Sequence, residues 1–113
     1  MVETVSFYDD LHYEDGHKPA VKVILKNDLA KEIRILFRKG QEMKEHKAPY
    51  PIIVQVLEGL IDFGVEEKRY PLKKGMMIQL SADIPHDLVA LEESMVRLSL
   101  NLQDHPLRVE SIK

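Results

Sequence analysis

The chain contains no cysteine and no tryptophan, and Phe and Tyr make up only 6% of its 113 residues. Without cysteine, disulfides, thiolate nucleophiles and sulfur-ligated zinc or iron–sulfur centres are excluded. No apolar run approaches the ~18 residues that a membrane helix needs. Basic charge is in deficit, with 16 Lys and Arg against 19 Asp and Glu and a formal net charge of −3. Such a chain has no basic field, so neither nucleic acid nor a membrane is expected as a partner. The opening MVETVSFYDD is acidic and lacks the basic-then-apolar order of a secretory leader, which makes a cytoplasmic address the default expectation. Helix signals are scarce too, since no window sustains a capped apolar period of 3.6 residues.

What is present is a series of short apolar segments in a chain that is 44% hydrophobic and 31% charged. That composition suits one globular domain with one core. VKVIL at 21–25 alternates, as does EIRILF at 32–37, with Ile33, Ile35 and Phe37 opposite Arg34 and Leu36. IIVQVL at 52–57 is apolar on both faces, and LIDFGV at 60–65, MMIQL at 76–80, HDLVAL at 86–91 and MVRLSLNL at 95–102 complete the series. About eight short strands separated by turns predict an all-β closed barrel or two-sheet roll. DLAKEIRIL offers a helix start at Asp28, but its alternation fits a strand better. Residues 1–19 read as a loosely organised polar arm, 20–102 as the barrel and 103–113 as a polar tail that includes His105. Gly40, Gly59 and Gly75 border strands, where tight turns often need positive φ.

Two glycine-flanked segments carry the chemistry. In the first, Gly40 precedes His46 by six positions, Ala48 and Ile52 come next, and Gly59 closes the segment. In the second, Gly75 opens, Pro85 and His86 come next, and Ala90 ends it. The pair resembles the two-part signature of the cupin superfamily, in particular its small single-domain bacterial members. The first motif of that family is G-x5-H-x-H-x3,4-E-x6-G. His46 and both glycines match it, whereas Ala48 stands for the second histidine and Ile52 for the glutamate. In the second motif His86 matches and Ala90 replaces an asparagine. The resemblance implies a single-domain cupin β-barrel, also called a double-stranded β-helix or jelly roll. It also implies that His46, Ile52, Val54, Ile78, His86 and Leu88 face inward and that the two imidazoles meet in the barrel mouth.

The expected pocket is His46, Ala48, Tyr50, Ile52, Val54, Ile78, His86 and Leu88, with a degenerate metal site at His46 and His86. Two imidazoles hold a divalent transition metal only weakly, because protein metal sites use three or four ligands. Glu42, Glu45, Tyr50 and Gln55 are the nearest substitute donors in sequence, and Gln55 has the outward parity. His12 and His17 lie in an acidic arm that is most simply a solvated one. Three functions stay open: a binder of an unidentified small molecule, a metal-dependent enzyme of dioxygenase or isomerase type with further ligands, and a structural or regulatory protein. The plain alternative for both histidines is satisfaction by backbone carbonyls or water. The outer face of IIVQVL, with Ile53, Gln55 and Leu57, asks for cover, and a homodimer is expected, with or without exchanged N-terminal strands.

Overall fold

The computed structural model describes residues 1–102 and contains nine strands in that span. They are β1 (Ala20–Lys26), β2 (Ala30–Phe37), β3 (Glu42–His46), β4 (Ile52–Glu58), β5 (Leu60–Val65), β6 (Lys68–Lys73), β7 (Met77–Leu80), β8 (His86–Ala90) and β9 (Ser94–Asn101). The five-stranded sheet runs β1-β2-β9-β4-β7 and the four-stranded sheet β3-β8-β5-β6. Every pairing is antiparallel. This is the expected all-β jelly roll. Among the described residues no helix is long and apolar enough to cross a membrane. The 103–113 tail, with His105, lies outside the described residues.

Period two explains the core. Side chains alternate across a strand, so one parity of each strand meets the facing sheet. Ile33, Ile35, Phe37, Ile52, Val54, Val56 and Val96 come from one sheet, and Ile61, Phe63, Val65, Leu72, Leu88 and Ala90 from the other. Two strands escape the sequence reading. β3 is EMKEH and β6 is KRYPLK, both mostly exposed edge strands, and in β6 only Leu72 is buried.

The N-terminal arm is more ordered than expected. Arg34, Leu36 and Met95 lie on the outer face of the large sheet, yet they are buried, Arg34 with only 3% of its surface exposed. The Arg34 guanidinium donates to the carbonyls of Phe7, Asp9 and Asp10. The Gln41 amide donates to the carbonyls of Glu14 and Gly16. Residues 1–19 form no strand, but these bonds lay them across the sheet.

Gly59, between β4 and β5, has φ of 92°, and a Cβ there would lie 2.2 Å from the Ser94 hydroxyl and 2.4 Å from the Glu93 carbonyl oxygen. Ser94 is buried and bonds Leu60 N–H and the Glu92 carbonyl, so it cannot give way cheaply. Gly40 has a similar φ of 89° but open space around it. Gly40→Ala should therefore cost about 1 kcal/mol, from left-handed backbone alone. Gly59→Ala should cost about 3 kcal/mol, since strain and collision combine. Urea denaturation of the two variants checks the order, and equal losses would show that the Ser94 contact is irrelevant.

Candidate functional site

The site grows from the pairing of β3 with β8. Glu42 sits opposite Val89 and Met43 opposite Leu88, but His46 sits opposite His86. A β-bulge between Met43 and His46 inserts one residue and reverses the parity of the strand beyond it. Met43 packs on the core, and its cross-strand partner Leu88 is buried. His46 reaches the same side despite opposite sequence parity. Glu42 pairs with Val89 on the other face, which removes it as a substitute ligand.

The two imidazoles meet edge to face, with ring centroids 4.4 Å apart and planes at 61°. His86 is buried, whereas His46, on the same side of the strand pair, is exposed at the rim. Phe63, fully buried on β5, stacks on His86 at 5.5 Å with planes 6° apart. The sequence reading missed Phe63. The only available signal was its position in LIDFGV, whose alternation marks it as core and nothing more.

Each histidine makes the same local bond. His46 Nδ1 lies 2.7 Å from the Lys44 carbonyl oxygen and His86 Nδ1 lies 2.9 Å from that of Ile84. A carbonyl only accepts, so both Nδ1 atoms carry the proton and donate. This tautomer leaves Nε2 as the acceptor nitrogen of a neutral imidazole. Backbone carbonyls thus satisfy one nitrogen of each ring, as the plain reading holds.

The remaining expected pocket residues sort by depth. Ile52, Val54 and Leu88 are buried in the core layer, and Ala48 and Ile78 are half-buried against it. Tyr50 is half-buried in the loop between β3 and β4. Asp83 N–H donates to the Ala48 carbonyl, tying that loop to the loop before His86. Ile84 also packs on the core. Gln55 sits opposite Arg97 on the outer face, consistent with its parity.

Among the described residues no group of three His, Cys, Asp or Glu converges, so these residues supply two good metal donors where catalytic zinc sites use three. A metal between these two histidines would need its further ligands from substrate or water. His12 and His17 of the arm join no such group either. A cavity of about 500 Å³ lies away from the His46–His86 pair, between the arm and the outer face of β1 and β2.

Asp87 is no free surface charge. Its carboxylate pairs with Arg69, which also grips Asp62, and the guanidinium crosses over Gly64, where a Cβ would lie 2.1 Å from it. Burial pushes the His86 pKa down, and His46 adds to this; the Ile84 carbonyl and Asp87 oppose it. Below the ordinary value of 6.5 the unfolded chain binds a proton that folded His86 resists. Stability should therefore rise with pH up to about 6.5 and be lost as pH falls below it. Urea unfolding between pH 5 and 8 should show a shallower pH dependence for His86→Gln than for the parent. Parallel curves would assign the acid sensitivity elsewhere.

Comparison with known proteins bears on this geometry. A family model described as the cupin domain matches residues 33–102. An RmlC-like cupin from Desulfovibrio desulfuricans superposes with a TM-score of 0.81 at 17% identity, covering 90% of this chain and 98% of that one. An RmlC-like cupin from Shewanella frigidimarina gives 0.75 at 21%, covering 88% and 91%. KdgF from Halomonas sp. gives 0.75 at 19%, covering 86% and 93%. No curated protein matches. At these identities the structural likeness carries the fold, and the family model spans more than half of the sequence. With both histidines and the two-sheet roll in place, the chain belongs to the cupin superfamily.

Proposed function

We propose that this cupin binds a small molecule at the barrel mouth between His46 and His86. The observation that carries the reading is the paired Nδ1–H bonding to the Lys44 and Ile84 carbonyls. It fixes both rings and presents two nitrogen acceptors over an apolar wall of Ala48, Ile52, Ile78 and Leu88. Tyr50 and Val54 complete the proposed lining. Such a site suits a compact ligand that offers one or two hydrogen-bond donors beside an apolar body.

A second reading rests on the same bonds. Histidines that ligate metals commonly donate their other N–H to a backbone carbonyl. A divalent transition metal held weakly by His46 and His86, with ligands from substrate or water, would make this a metal-dependent enzyme of dioxygenase or isomerase type. Metal analysis of protein purified without a histidine tag separates the two. The binder reading expects no stoichiometric metal and a rise in melting temperature with a cognate metabolite; by linkage, ligand at 100 times Kd adds about 2.7 kcal/mol. Near-stoichiometric metal that disappears in the His46→Ala, His86→Ala double variant would establish the enzyme instead. Silence in both assays would leave a structural or regulatory role.

The protein is also proposed to be a homodimer in the cytoplasm. Ile53 on β4 and Met77 on β7 are exposed at 40% and 57%, and the Ile53–Gln79 and Gln55–Met77 pairs set them on one sheet face. Light scattering at micromolar concentration should give twice 13.1 kDa. Ile53→Glu should return the monomer, and a monomeric parent would end the idea.

A further inference from the structure

The arm-covered face of the large sheet has an unusual charge layout. Lys22 pairs with Arg34 and Arg34 with Arg97, on three neighbouring strands. Directly paired residues share a face, so three cations stand in one row, an arrangement that ordinarily destabilises a sheet. Glu32 answers Arg97 at 2.8 Å. Arg34 has no such answer. Among the described residues no carboxylate oxygen pairs with it, and its Nε is buried without a partner. A buried cation held only by carbonyls is costly.

The arm above it is acidic. Glu3, Asp9, Asp10, Glu14 and Asp15 stand against Lys18 alone. Yet the arm offers Arg34 its backbone and not its carboxylates. Asp10 takes a left-handed φ of 50° at the point where its carbonyl meets the guanidinium. That conformation is uncommon for a residue other than glycine. Beside this contact lies the cavity of about 500 Å³, whose lining includes Asp10, His12, Glu14, Lys22 and Arg34.

We propose that this cavity is a second ligand site, an arm-gated site for a doubly charged oxyanion such as a phosphate group, with Lys22 and Arg34 as its counter-charges. With the arm closed, Arg34 Nε is buried without a partner, and Asp10 and Glu14 are among the residues that line the cavity. An oxyanion gains Nε–H and loses the like charge of Asp10 only when the Asp9–Asp10 stretch lifts, while Glu14 stays tethered through its carbonyl to Arg38 and Gln41. Binding and arm release are therefore one event. The site is independent of the histidine pair, and the barrel-mouth reading can fail without affecting it.

Titration of the full chain with inorganic phosphate at pH 7.5, monitored by amide NMR, tests the proposal. The signals of Phe7, Asp9 and Asp10 should move saturably with phosphate and stay fixed in sodium chloride of equal ionic strength. Lys22→Gln leaves every arm bond in place and should raise the phosphate midpoint about threefold, the size of one screened charge contact. Arg34→Lys cannot span the three carbonyls and should show the released arm signals before phosphate is added. An equal response to chloride, an unchanged midpoint in Lys22→Gln, arm signals that stay fixed, or a closed arm in Arg34→Lys would each overturn it.

Discussion

Phe37, Val56, Ile61, Phe63 and Val96 meet between the two sheets with no exposed surface, and the positions of all other groups depend on that layer. Burying it fixes which parity of each strand points inward, because a slip of one residue would turn every apolar side chain to water. The register so fixed brings β3 against β8 and sets His46 opposite His86. Removal of one Phe63 ring would act on both levels, since it fills the core and also stacks on His86.

Polar groups enter this fold only where the backbone or a glycine makes room. His86 is buried because the Ile84 carbonyl takes its N–H. Arg69 lies flat between Asp62 and Asp87 because position 64 has no side chain. Arg34 is buried because the arm brings three carbonyls to it. In each case backbone carbonyls or carboxylates take up N–H groups of the side chain, although Arg34 Nε stays unpartnered, and the apolar layer is left uninterrupted.

Much of the fold was legible in the sequence because alternation survives in β2, β4, β5, β8 and β9. β3 and β6 were missed because edge strands facing solvent carry little apolar signal. The histidine pair was legible through spacing, but its depth was not. Parity also groups Glu42 with His46, and the bulge in β3 breaks that count without any glycine to announce it. The arm was read as loose because its composition is polar. What orders it is the carbonyl row, which is common to every sequence and so leaves no mark in this one.

The strand order leaves four edges, at β1, β7, β3 and β6. Lysines punctuate β1, β3 is mostly charged, and β6 combines Lys68, Arg69 and Lys73 with Pro71. Such residues discourage another chain from adding a strand. β7, with the sequence MIQL, has neither charge nor proline. The molecule is thus polarised with respect to self-assembly. Among the described residues three of its borders are insulated and one is bare, so runaway stacking of copies would have a single sticky end and a direction.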